Sequence, residues 1–72
     1  MTQDARLLAL IAALVEPLAE SMVADYTPED WQDNPVVGRV REAAEALATG
    51  GLEVPVPVRE VLRLAEAARR GV

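Results

Sequence analysis

Apolar residues in the first third of the chain repeat with the period of an α-helix. At 100° per residue they cover an arc of roughly 160°, with Glu16 and Glu20 on the opposite side. The arc contains Leu7, Leu8, Leu10, Ile11, Leu14, Val15, Leu18 and Met22. With Thr2 as the N-cap and Asp4 in the first turn, the pattern predicts a helix over about 3–25.

Pro17 lies inside this pattern and has no N–H to donate to the carbonyl of Ala13. A kink is therefore expected near Val15 and Glu16. Because the apolar spacing continues beyond the proline, we expect one bent helix in preference to two separate ones. A functional hinge is the alternative.

Two cap-and-proline pairs follow. Residues 27–31 (TPEDW) have the order of N-cap, proline and two acids that starts a helix, and Asn34-Pro35 repeats the device seven residues later. The repeat predicts a short helical turn at 28–33 and a second helix at 35–48. Thr49-Gly50-Gly51 ends that helix, because glycine adopts the left-handed conformation easily.

The last part of the chain predicts an extended segment and a third helix. Residues 52–58 (LEVPVPV) contain prolines at alternate positions, which favours extended backbone and excludes a central strand. A helix over about 57–70 follows and ends at Gly71. The fold class is therefore all-α: a small bundle of three main helices and one short turn, forming a single domain over 1–72.

The small size of the chain favours an oligomer. A 72-residue chain that is 51% hydrophobic, with no Cys or His, has no disulfide and almost no zinc arrangement to stabilise it. We expect a homo-oligomer, with a dimer favoured, and the first helix supplies its predicted interface: Leu7, Leu8, Ile11, Leu14, Val15, Leu18 and Met22. The alternative, weighted equally, is that neighbouring helices of the same chain cover this face.

Charge is distributed unevenly. Residues 1–34 carry seven carboxylates against Arg6 alone, a net charge of −6, and residues 35–72 carry a net charge of +1. Acidic and aromatic residues cluster where the first helix ends, and they form the predicted partner-binding group: Asp25, Tyr26, Glu29, Asp30, Trp31 and Asp33. A basic protein is the expected partner. For Trp31, an anchoring role in the core is favoured over an interface role.

The residue inventory argues against an enzyme. The chain has no His, Cys or Lys, so the usual nucleophile–base pairs and Schiff-base chemistry are missing. Ser21 beside Glu20 lacks a suitable base. The acidic run from Asp25 to Asp33 matches no calcium-loop spacing, and its acids suit helix starts better than a metal site. We expect no catalytic residues, no cofactor and no metal.

Nucleic acid and membrane are unfavourable partners on sequence grounds. The last helix carries Arg59, Arg63 and Arg70 on one side, but Glu66 interrupts them and the front half is acidic. The apolar run 7–15 resembles a signal-peptide core, yet no convincing cleavage site follows, and Glu16 and Pro17 end the run too early for a membrane span. A cytoplasmic location is expected. All basic residues are Arg, which is typical of a GC-rich bacterial or phage coding sequence.

These observations predict a non-enzymatic protein–protein interaction module. The leading hypothesis is a small regulator or inhibitor whose acidic front half docks on a basic macromolecular partner. The alternative is a structural subunit that assembles with itself. A weaker alternative is a transcriptional accessory that contacts DNA through the arginines of the last helix.

Overall fold

A computed structural model describes the backbone of residues 2–27, 29–32 and 34–70, with side chains from residue 5 onward in these ranges. It contains three helices: α1 (Thr2–Asp25), α2 (Pro35–Thr49) and α3 (Val56–Arg69). The described ranges contain no strand, and the prediction of a small all-α bundle is confirmed. Each helix begins and ends within one residue of the predicted position.

α1 is one uninterrupted helix through Pro17. At 1.5 Å per residue its 24 residues extend over about 36 Å, nearly the full 42 Å length of the molecule. The helix includes Thr2, which the sequence placed just outside it as the cap. The kink expected near Val15 stays a prediction.

Where the sequence predicted a short helical turn, the described residues form turns closed by two i→i+3 hydrogen bonds. The Asp30 N–H donates to the Thr27 carbonyl (2.9 Å), and the Gln32 N–H donates to the Glu29 carbonyl (3.2 Å). The Asp30 carboxylate also accepts from the Thr27 N–H (2.9 Å) and hydroxyl (3.1 Å). This is the return contact of a capping box, so Asp30 holds the turn closed. Pro28 and Asp33, at the two ends of the predicted turn, lie outside the described residues.

Both ends of α2 are capped by their own sequence. The Asn34 side chain accepts from the Val36 N–H (2.9 Å), and Pro35 occupies the first helical position. At the other end the Leu52 N–H donates to the Leu47 carbonyl (2.9 Å), and Gly51 lies at φ 82°. These are the features of a Schellman motif, which satisfies the last carbonyls of the helix and turns the chain.

The glycine at this turn is expected to be required for its conformation. Gly51→Ala should lower the free energy of unfolding by about 1–2 kcal/mol, because a side chain is strained at positive φ. Gly38→Ala is the matched control: Gly38 lies inside α2 with open space around it, so alanine should stabilise by about 0.5–1 kcal/mol. Urea denaturation followed by circular dichroism measures both. Equal effects of the same sign would contradict the assignment.

The segment between α2 and α3 is shorter than predicted. Of the predicted extended residues 52–58, only 52–55 lie outside the helices, because α3 already begins at Val56 and includes Pro57 in its first turn. Proline is tolerated there, since the N–H that it lacks would have no partner inside the helix. The Arg59 side chain donates to the Val54 carbonyl (3.1 Å) and fixes the segment to α3.

The core lies where the three helices meet, and every buried residue described is apolar. Trp31, between α1 and α2, completes it. The core residues are Val15, Ala19 and Met22 of α1, Trp31, Val37, Val40, Ala44 and Leu47 of α2, and Val58, Val61 and Ala65 of α3. Among the described side chains of α1, the buried ones therefore lie only in its second half, and its first half is less covered.

Candidate interaction surface

Four large apolar side chains of α1 are exposed on one side of the helix. We call them the leucine face: Leu7 (59% exposed), Leu10 (55%), Leu14 (74%) and Leu18 (44%). Successive members are three, four and four residues apart, which places them in line along a helix. Scattered exposed leucines are ordinary on protein surfaces, but an aligned group of four is a contiguous apolar surface.

The structure divides the predicted interface into three parts. Leu7, Leu14 and Leu18 are exposed, Leu8 and Ile11 are half-buried, and Val15 and Met22 lie in the chain's own core. The last two are therefore not accessible on this surface. The interface prediction omitted Leu10, although the apolar arc included it. Its spacing of three from Leu7 and four from Leu14 was the signal that identifies it.

α2 borders the leucine face along one side. Near the middle of α1, Leu14 and Leu18 line a shallow depression with Arg39. Towards the start of α1, Leu7 lines a second depression with Glu42 and Glu45. The two helices therefore run in opposite directions. On this border Arg39 lies near the middle of α1, and the Glu45 carboxylate lies towards the start of α1. Within this border Arg39 and Glu42 form an ion pair (3.2 Å).

Leu8 holds the start of α1 against the end of α2. It packs so closely on Gly50 that a Cβ at that glycine would overlap the Leu8 side chain. Glycine at this position lets the two helices approach each other. α1 therefore packs on the rest of the bundle through Leu8 in its first half and through core residues in its second half. The leucine face lies on the exposed side of this helix.

The predicted acidic and aromatic group is only partly a surface. Trp31 is 6% exposed and lies in the core, and Tyr26 is half-buried with its ring centroid 5.0 Å from that of Trp31. Asp25 and Glu29 are exposed. Asp30 is exposed too, but its carboxylate bonds to Thr27. Asp33 lies outside the described residues. The exposed residues of this group are therefore Asp25, Glu29 and Asp30.

The three arginines considered for DNA, two on α3 and one just after it, are paired with nearby glutamates. Arg59 contacts Glu53 (3.7 Å), and Arg70 contacts Glu66 (3.6 Å). Arg63 bonds to the carboxylate of Glu60, and this hydrogen bond lowers the pKa of Glu60 below its usual value. Each cation of the side considered for DNA thus has an anion beside it, which weakens its attraction for phosphate.

Two further features bear on possible ligands. Among residues 5–27, 29–32 and 34–70, no three acidic side chains lie close enough together to hold a metal ion. The range Ala5–Asp25 is long and apolar enough to span a membrane, and only 17% of its 18-residue apolar window is buried in the bundle. Such a length and composition also occur in signal sequences and in core helices, so this is weak evidence for a membrane location.

Comparison of the chain with protein-family models, with curated proteins and with solved structures finds no match.

Proposed function

We propose that this chain is a non-enzymatic protein–protein interaction module that binds through the leucine face of α1. The observation that carries the proposal is the exposure of Leu7, Leu10, Leu14 and Leu18, between 44% and 74%, on one side of a single helix. Contiguous apolar surface of this kind on a small protein marks a site where another surface binds.

The expected free energy of binding limits what the partner can be. The exposed fractions amount to more than two fully exposed leucines per copy, and burying a leucine contributes about 1.5–3 kcal/mol. The face therefore offers roughly 3–7 kcal/mol, whereas association costs about 4–15 kcal/mol. A stable complex needs a partner that covers nearly the whole face and brings apolar side chains of its own.

The test compares a variant of the face with a control elsewhere. Leu10→Ser combined with Leu14→Ser should abolish the recovery of bound proteins from a cell extract, because it places two hydroxyls in the centre of the face. Val56→Ser is the control, since Val56 is an equally exposed apolar residue (70%) on α3. Recovery is measured by quantitative mass spectrometry on the tagged chain, with circular dichroism to verify folding.

The proposal is supported if the double leucine variant loses proteins that both wild type and the Val56→Ser variant recover. If wild type and both variants recover the same proteins in the same amounts, and the wild-type chain is also monomeric by sedimentation equilibrium, the leucine face is not a binding surface.

A second candidate is docking of the acidic front half on a basic partner, as expected of a small regulator or inhibitor. Asp25 and Glu29 are exposed, and the four ion pairs found in the described ranges all lie between residues 39 and 70. None of these ion pairs involves Asp25 or Glu29, so both carboxylates are available to a cationic surface.

Salt and neutralising substitutions test this second candidate. Asp25→Asn combined with Glu29→Gln should weaken binding several-fold at low salt and have little effect at 0.5 M salt, where charges are screened. Glu53→Gln is the control, because the Glu53 side chain is 89% exposed but lies outside the acidic half. Binding that is insensitive to both salt and the double substitution would exclude an acidic docking surface.

A further inference from the structure

We propose that the partner on the leucine face is a second copy of this chain, with the two α1 helices antiparallel. Leu7 of one copy then packs against the partner's Leu18, and Leu10 packs against the partner's Leu14. This inference rests on the proposed function, since it names the occupant of the same surface. The resulting dimer brings α1 and α2 of both copies into one four-helix arrangement.

The spacing of the leucines suits a two-fold axis. A two-fold interface uses the same surface on both copies, so residue i contacts residue j and j contacts i. Positions 7 and 18 are centred on 12.5, and positions 10 and 14 are centred on 12. One axis passing near residue 12 therefore pairs all four leucines at once, and each of these contacts joins two leucines.

Charges on the border formed by α2 favour the antiparallel orientation. Arg39 lies beside Leu14 and Leu18, and Glu45 lies beside Leu7. Antiparallel pairing brings Arg39 of one copy to the level of the partner's Glu45, twice over. Parallel pairing would instead place the two α2 borders on opposite sides of the α1 pair, because its two-fold axis runs along the helices, and this attraction would be lost.

The acidic C-terminal end of α1 also favours the antiparallel orientation. Asp25, Glu29 and Asp30 are exposed at or just after the C-terminal end of α1. A parallel dimer would bring two such acidic ends together, with both helix dipoles aligned. An antiparallel dimer places them at opposite ends of a helix about 36 Å long, which is several times the screening length of about 8 Å at physiological salt.

The size of the molecule is adequate for a specific dimer. A long side of the molecule measures 42 by 20 Å, and stable interfaces bury about 800 Å² on each partner. Pairing along α1, including the border with α2, uses one such side. The dimer also covers the first half of α1, none of whose described side chains is buried.

The first experiment measures mass. Sedimentation equilibrium on the full 7.7 kDa chain should give twice that mass at micromolar to millimolar concentrations. Leu10→Ser combined with Leu14→Ser should raise the dissociation constant at least a hundredfold, whereas Val56→Ser should leave it unchanged. Wild type that stays monomeric up to about 1 mM overturns the proposal, and so does a dimer that both variants retain.

The second experiment measures orientation. The chain has no cysteine, so Leu7→Cys and Leu18→Cys proteins, carrying different tags, are mixed and treated with a short bismaleimide. Residues 7 and 18 are about 16 Å apart along one helix. An antiparallel dimer therefore gives mixed 7-to-18 products, and a parallel dimer gives 7-to-7 and 18-to-18 products, which overturns the proposal. Ala9→Cys, exposed on the other side of α1, controls for random collisions.

Failure here is distinguishable from failure of the proposed function. A monomeric chain that still recovers other proteins through Leu10 and Leu14 keeps the interaction module and excludes the dimer. A monomeric chain whose leucine face binds phosphatidylcholine–phosphatidylglycerol vesicles excludes the dimer in favour of a membrane. A monomeric chain with no leucine-dependent binding at all excludes both proposals.

Discussion

Replacement of Leu47 by alanine is expected to lower the free energy of unfolding by roughly 2–5 kcal/mol. Leu47 is 0% exposed and is one of the largest fully buried side chains of the core. Alanine would leave a cavity that the surrounding valines cannot fill without moving the helices. Because a domain of this size has only about 3–5 kcal/mol of net stability, the variant should be largely unfolded. Urea denaturation followed by circular dichroism at 222 nm measures the effect.

Leu14→Ala is the matched control, because it makes the same chemical change at a position that is 74% exposed. Measured at a concentration where the chain is monomeric, it should alter stability by less than about 0.5 kcal/mol. At higher concentration it should remove part of the concentration dependence of unfolding, since the dimer contact is lost. Similar losses for Leu47→Ala and Leu14→Ala in the monomer would show that the core is not where the structure places it.

The ends of the helices were predictable because local chemistry determines them. Asn34-Pro35 begins α2 since the amide caps the helix and the proline needs no partner for a missing N–H. Gly51 ends α2 since only glycine adopts φ 82° without strain. Both signals lie within a few residues of the feature that they determine, so no knowledge of tertiary packing was needed.

The division of the apolar face of α1 was not predictable in this way. Leu14 and Val15 are neighbours in the sequence and both belong to the apolar arc, yet Leu14 is 74% exposed and Val15 is 6% exposed. Periodicity gives the width of an arc and not the part of it that other helices cover. That depends on where α2 and α3 pack, which is set by contacts far apart in the sequence.

The acidic and aromatic group shows a second limit of sequence analysis. The sequence indicated Asp30 both as a helix-start acid and as a partner-binding residue, and the structure uses its carboxylate to close the turn at Thr27. Adjacent Trp31 points into the core. Neighbouring residues in one short segment therefore have different roles, and residue type alone does not separate a capping acid from a docking acid.

Replacement of Trp31 by alanine is the substitution with the largest expected effect, a loss of roughly 3–5 kcal/mol in the free energy of unfolding. Trp31 is the only tryptophan of a chain without phenylalanine, and its ring packs against Tyr26 at 5.0 Å with an interplanar angle of 57°. Beside it, the Gln32 side chain donates to the Ala68 carbonyl (3.3 Å). The loss of the indole would therefore open a cavity beside the residue that joins the turn to α3.

Trp31→Phe is the graded control for this prediction, because it keeps an aromatic ring beside Tyr26 and should lose clearly less stability than Trp31→Ala. Urea denaturation followed by circular dichroism compares the two variants with wild type. The emission of wild-type Trp31 should be blue-shifted in the folded monomer and should not change on dimerisation, since the ring lies away from the leucine face. If Trp31→Ala costs less than about 1 kcal/mol, the indole is not a core anchor, and Trp31 would belong with Asp25 and Glu29 on a binding surface.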